Sequence, residues 1–388
     1  MSAQSDPRFF TSRRRFLGGG AATAAALALG PSLLAACGSD AEPDQPRSGP
    51  DDGTPATGNL RISNWPSYMA PGFIEGFHKA SGLTVDYLED FNDNEVWFAK
   101  VKEPLSKRQD IGADLVVPTE FMALRLESLH WLNEIRDSGV PNKKNLRPEL
   151  LNTAADPGRK FTAPYVSGMV GIAYNKAATG RPIKTVEDMW DPAFKGRVSV
   201  MSDMQDAVGM VMMAQGNSVA EPTMAAVQQA VDAIREQKDN GQLRKFTGND
   251  YISDMSSGNT IVAQAYSGDV VQMQADNPDI EFVLPESGGN WFIDTMVIPY
   301  TTQNQKAAEA WIDYLYDRKN YAKLIAYTQY VPVLSDMVDE LDKIDPALAA
   351  NPLIYPTQAE LDNLTTWGAL SEEQMKSFVD AYAQVTGG

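Results

Sequence analysis

Histidine and cysteine are nearly missing from this chain: 2 His and 1 Cys in 388 residues. A single cysteine excludes an internal disulfide framework. His78 and His130 have no metal-ligand spacing around them, so zinc binding and histidine acid–base chemistry have little to stand on. Positive charge is also scarce, with 33 Lys and Arg against 51 Asp and Glu and a formal net charge of -18. Nucleic acid needs clustered cations and is a poor partner for such a chain. There is no glycine-rich fingerprint after a strand, no phosphate-loop lysine, no GxSxG elbow and no internal repeat. A glycosidase stays open on composition alone, because its chemistry needs only two acids. What the chain does have is 43% hydrophobic residues with 14 Tyr, 14 Phe and 7 Trp, enough to bury cores, and a length suited to two compact units.

The first residues read as an address rather than structure. Ser12-Arg13-Arg14-Arg15-Phe16-Leu17 forms a twin-arginine signal, followed by Gly18-Gly19-Gly20 and an apolar run from Ala21 to Leu29, too short to span a bilayer comfortably. The run ends in Leu34-Ala35-Ala36-Cys37-Gly38, which resembles a lipobox, so residues 1–36 are expected to be a signal peptide and Cys37 the lipidated N-terminus. Removing them takes away Arg8, Arg13, Arg14 and Arg15 against Asp6, which leaves a more acidic body. Residues 37–58 are rich in Pro, Gly and acid without apolar periodicity and read as a disordered tether. No later apolar stretch is long enough to cross a membrane.

Beyond the tether, short apolar runs alternate with helical patterns, the mark of an α/β chain. Strands are expected near residues 60–63, 84–87, 114–117, 169–174, 198–201, 260–265, 281–284 and 295–298. Helices are expected near 71–79, 94–106, 120–127, 185–190, 205–214, 220–236, 304–316 and 371–385. Ser167-Gly168 and Ser257-Gly258 read as turns.

The segments beside these strands are unusually aromatic and acidic: Asn64-Trp65-Pro66-Ser67-Tyr68, Pro118-Thr119-Glu120-Phe121, Ser202-Asp203-Met204-Gln205-Asp206, Tyr266-Ser267-Gly268-Asp269 and Trp291-Phe292-Ile293-Asp294. In open α/β sheets ligands sit where such loops converge. Aromatic faces attract cations, and carboxylates give the charge-assisted hydrogen bonds that a desolvated ammonium requires. Plainer readings stand beside this one. Trp65 and Phe292 also fit ordinary core positions, and Asp203 with Asp206 also fits a helix N-cap and a first-turn acid.

From about Asn59 onward, the order of motifs resembles the solute-binding proteins of spermidine/putrescine ABC transporters. The stretches that carry it include Asn64-Trp65-Pro66-Ser67-Tyr68, Asp114-Leu115-Val116-Val117-Pro118-Thr119, Gly171-Ile172-Ala173-Tyr174-Asn175, Trp190-Asp191-Pro192-Ala193-Phe194-Lys195-Gly196, Asp294-Thr295-Met296-Val297-Ile298-Pro299 and Gln329-Tyr330-Val331-Pro332. The resemblance implies a type II periplasmic-binding-protein fold: two α/β lobes with a hinge and an inter-lobe ligand cleft. Lobe one would hold 59–170 plus 294–337, and lobe two 171–293 plus 338–388.

Carried over by position, the ligand contacts would be Trp65, Tyr68, Thr119, Phe121, Asp203, Asp206, Tyr266, Asp269, Phe292, Asp294 and Tyr330. The chain departs from the pattern in several places. Phe121 replaces a Tyr, Tyr266 and Phe292 replace Trp, Ser67 stands where many members have an acid, and Gly368 where one branch has a Gln. Having fewer terminal carboxylates suits a shorter diamine better than a triamine. The expected protein is thus a monomeric, lipid-anchored, extracytoplasmic carrier that takes a polyamine to an ABC permease and its ATPase, needing no cofactor, metal or catalytic residue. A carrier for a sugar or another cationic amine, or a secreted carbohydrate-active enzyme, are the alternatives.

Overall fold

The computed structural model describes residues 52–153, 155–368 and 370–387. The expected signal peptide, Cys37 and most of the tether lie outside the described residues. Ten strands form one sheet: β1 (Asn59–Asn64), β2 (Thr84–Glu89), β3 (Leu115–Val116), β4 (Thr162–Asn175), β5 (Val198–Met201), β6 (Leu243–Thr247), β7 (Val262–Tyr266), β8 (Ile280–Val283), β9 (Gly289–Val297) and β10 (Leu364–Thr365). Their order is β2-β1-β3-β9-β4-β7-β5-β6, with β8 on β4 and β10 on β9.

The pairing divides this order into two halves about its centre. β1 runs parallel to β2 and β3, and β5 runs parallel to β6 and β7. Between these blocks lies an antiparallel pair, β4 and β9. β4 pairs with β9 over its first part, from Thr162 to Val170, and with β7 and β8 over its second. Its side chains are buried along almost the whole strand, because the two halves cover it from both faces. This gives the two α/β lobes of a type II binding fold, joined by strands that pass between them.

Local signals act as the sequence leads one to expect. The helix Phe73–Ser81 stops at Gly82, whose φ of 76° a side-chain-bearing residue adopts at a cost. Asp93 caps Asn94–Ser106 by accepting from the amides of Glu95 and Val96. Two expectations need correction. Ser167-Gly168 is the middle of β4 rather than a turn, since its backbone is paired with Ile293 and Phe292 of β9. Trp291 to Asp294 lie inside β9 rather than in a loop before it. β6 and the helices Ser267–Asp276 and Arg318–Thr328 are additional to those expected.

The first block is tied together by a buried carboxylate. Asp114, just before β3, is fully buried and accepts from Arg61 Nε of β1 at 3.0 Å, Arg61 Nη2 at 2.9 Å, Thr302 Oγ1 at 2.8 Å and Asn304 Nδ2 at 3.1 Å. Burial alone would raise its pKa, but these donors outweigh burial and hold the carboxyl below the usual range. A carboxyl depressed in this way stabilises the fold above its ordinary pKa and loses that contribution as pH falls. Asp114→Ala is expected to lower unfolding free energy by about 3 kcal/mol at pH 7, because it leaves part of a buried ion pair uncompensated. The difference from wild type should shrink in urea titrations as pH falls below about 4.

Candidate functional site

Four rings touch in sequence where the halves meet. Tyr68 and Tyr330 have centroids 5.5 Å apart, Tyr330 and Phe292 5.8 Å, and Phe292 and Tyr266 5.1 Å. Phe292 and Asp294 are two residues apart on β9 and therefore share a face. Gly168, opposite Phe292 on β4, has to be glycine. A Cβ there would come within 2.6 Å of the Phe292 ring and 3.0 Å of Tyr330. Gly268 is constrained in the same way, since its Cβ would come within 2.7 Å of Tyr330.

Each ring that carries a hydroxyl gives it to an acid. Tyr68 donates to Asp294 Oδ2 at 2.8 Å, Tyr266 to Asp206 Oδ2 at 2.8 Å, and Tyr330 to Asp269 Oδ1 at 2.7 Å. Thr119 occupies the N-cap position of the helix Glu120–Ser128, yet its hydroxyl makes no capping bond and instead donates to Asp294 Oδ1 at 2.8 Å. Asp203 takes the N-cap position and has a second oxygen engaged across the cluster. Its Oδ1 caps Met204–Ala214 by accepting from the amides of Gln205 and Asp206, while its Oδ2 accepts from Asn94 Nδ2 at 3.4 Å. Asp206 and Asp269 stand in the first turns of their helices, where the N-terminal dipole favours negative charge.

These acids have hydroxyls, amides and one another for neighbours. Among the described residues none of the four pairs with Lys, Arg or His. Burial pushes Asp294 up to about 7, with repulsion from Asp206 and Asp269 adding to it and the Tyr68 and Thr119 bonds opposing it. Asp206 is pushed up to about 6, again chiefly by burial. Asp203 is raised well above the carboxylate range by burial, Asp206 and Asp93, and Asp269 is raised by burial against the bonds from Tyr251, Tyr330 and Asn249. Buried acids without cations are neutralised by protons or by an incoming positive ligand.

The remaining expected residues fall at the edge of this arrangement. Phe121 and Thr119 line a cleft of about 1100 Å³, together with Asp206 and Phe292. Trp65 is buried against Phe91, centroid to centroid 5.1 Å, its indole N–H has no partner, and no ring contact joins it to the Tyr68–Tyr266 run. Gly368 lines the same cleft, and a Cβ there would collide with the Ala220 carbonyl, so the Gln of one branch does not fit this backbone.

Three participants escape a sequence reading. Tyr251 donates to Asp269 Oδ2 at 2.6 Å and accepts from the Tyr266 amide at 3.0 Å; Asn249 Nδ2 reaches the same carboxylate at 3.3 Å. No local motif marks either residue. Asn94 also belongs here, binding Thr119 Oγ1 at 3.0 Å, and its place opening a helix was the available signal. The two halves also meet beyond the rings, where Ser202 Oγ donates to Asp93 Oδ2 at 2.9 Å and Gly248 lies so near Asn92 that a Cβ would come within 2.6 Å of its carbonyl oxygen.

The chain is similar to known binding proteins. Residues 73–356 match the family model for bacterial extracellular solute-binding proteins. Spermidine/putrescine-binding periplasmic protein 1 of Haemophilus influenzae is 24% identical over 309 residues, 79% of this chain and 83% of its own. Putrescine-binding periplasmic protein SpuD of Pseudomonas aeruginosa is 27% identical over 351 residues, 85% of this chain and 92% of its own. A solved structure from Listeria monocytogenes, titled as a spermidine/putrescine ABC transporter, has a TM-score of 0.76 at 24% identity, covering 85% of this chain and 99% of that one.

A carboxyl with a raised folded pKa costs stability as pH rises, because between about 4 and 7 the unfolded chain ionises Asp294 and the folded chain resists. Asp294→Asn is therefore expected to stabilise the ligand-free protein by roughly 2 kcal/mol at pH 8. The gain should be nearly absent at pH 4, as read by thermal or urea unfolding.

Proposed function

The chain belongs to the bacterial extracellular solute-binding protein family, a transport component rather than an enzyme, and from that premise we propose that it captures a polyamine and delivers it to an ABC permease. The observation that carries this reading is a set of four carboxylates, Asp269 and Asp294 buried and Asp203 and Asp206 half-buried, with no cation of their own among the described residues and a run of rings beside them. A protonated amine supplies the missing charge, and its methylenes lie against Tyr68, Phe292, Tyr266 and Tyr330. Relatives named for binding putrescine or spermidine support the same chemistry. A sugar would leave the acids to be neutralised by protons alone, which makes the sugar carrier the weaker reading.

Trp65 and Phe121 complete the wall in this reading, Phe121 from the cleft and Trp65 on rearrangement of its Phe91 contact. The protein works outside the cytoplasm, as its family does. Twin-arginine export, a lipid on Cys37 and a tether that lets a monomer reach its permease and ATPase belong to the same proposal. Among the described residues no helix is long and apolar enough to cross a membrane.

Titration calorimetry of the full chain against putrescine, cadaverine, spermidine and spermine, with maltose as control, tests the proposal. Saturable binding of an amine is expected, together with a higher melting temperature by mass action. Because the ammonium groups need ionised partners, affinity should rise from pH 5.5 to pH 8 as Asp206 and Asp294 lose their protons, and binding near pH 6 should release protons. Maltose binding with no amine binding, or amine affinity indifferent to pH, would overturn it.

A further inference from the structure

The cleft extends beyond the ring-and-acid cluster. The helix Glu120–Ser128 runs along its wall, and Glu120, Leu124 and Glu127 recur at spacings of four and three, so they share a face and all line the cavity. An α-helix rises about 1.5 Å per residue, which puts Glu127 about 10 Å along the axis from the Thr119–Glu120 end that holds Asp294. The lining includes the apolar side chains of Phe121, Leu124, Phe292 and Trp367 beside polar ones such as Gln205 and Asn290.

The charged neighbours on this wall are mostly engaged elsewhere. Glu120 takes Arg159, Glu149 takes Arg147, and Arg125 takes Glu95 while lying over Phe98. Lys160, His130 and Glu134 also line the cleft and are exposed. Among the described residues Glu127 makes no ion pair and no side-chain hydrogen bond. It is half-buried, and burial, followed by Asp156, pushes its carboxyl up to about 7. A partly apolar cleft lined by Asp206 and by Thr119, which holds Asp294, with the partnerless Glu127 carboxylate two helical turns along the same wall, matches a ligand in which methylenes separate positive charges.

We propose that Glu127 forms an outer subsite for a distal ammonium group, so that the preferred ligand is a polyamine with three or more nitrogens. This rests on the polyamine reading above and deepens it. A four-carbon diamine held among Asp206, Asp269 and Asp294 stops short of Glu127. A triamine or tetramine lays its added methylenes along Phe121 and Leu124 and sets its last nitrogen against the carboxylate. The outcome reverses the sequence-based expectation of a short diamine. The acid absent at Ser67 is compensated from a helix face that the family motifs leave out.

Calorimetry on the full chain, ligand-free, compares wild type, Glu127→Gln and, as a control on an exposed acid outside the cleft, Glu236→Gln against putrescine, spermidine and spermine. Wild type should bind spermidine or spermine more tightly than putrescine. Glu127→Gln should weaken the longer amines about tenfold while leaving putrescine within about twofold. Glu236→Gln should change none of them. Melting curves without ligand check that Glu127→Gln remains folded, which its matched size favours. An unchanged affinity for spermidine and spermine in Glu127→Gln, or an equal fall for all three amines, overturns the subsite and leaves the polyamine function standing. Failure of wild type to bind any amine overturns both.

Discussion

The register between β4 and β9 fixes the positions of the functional groups. Because the strands are antiparallel and paired from Thr162 to Val170, Gly168 lies opposite Phe292, and the two-residue alternation of β9 turns Phe292 and Asp294 to one face. A shift of one residue would send both to the other side and bring Trp291 and Ile293 in their place. The same pair links the halves, so the strands that place the central acid also run between the two lobes.

The site is held together by tyrosine hydroxyls and glycine. Tyr68, Tyr266, Tyr251 and Tyr330 donate to carboxylates whose ionisation burial opposes, and Gly168 and Gly268 leave room for the rings. Hydroxyls orient an acid without cancelling its charge, as an arginine would. Elsewhere in the same molecule Asp114 is matched by Arg61, and there the carboxyl is depressed. The contrast separates an acid used for folding from acids kept unpaired at a cost in stability.

Much of the architecture was legible from periodicity and caps. β5 and the helix Asn94–Ser106 fall where the apolar run and the helical pattern put them. Ser167-Gly168 misled because a Ser-Gly pair favours turns locally, whereas here long-range pairing with β9 decides. Of the residues gathered in the ring-and-acid cluster, Tyr68, Thr119, Asp203, Asp206, Tyr266, Asp269, Phe292, Asp294 and Tyr330 could be expected from motif and position. Tyr251 and Asn249 could not, since their role depends on a helix folding back on Asp269 from 18 and 20 residues away. Trp65 carries a family motif but stands apart from the ring run, packed against Phe91.

Gly368 bears on how such carriers diverge. Its amide donates to Val219, and the Ala220 carbonyl occupies the space that any side chain would need. The strap carrying Trp367 and the loop at 219–220 are therefore interlocked. Reaching a branch that bears a glutamine here would need concerted change in both segments, and each change made first would pass through a poorly packed intermediate. Side chains on the open cleft walls, by contrast, can change without that coupling, so the pocket is easier to reshape there than at this position.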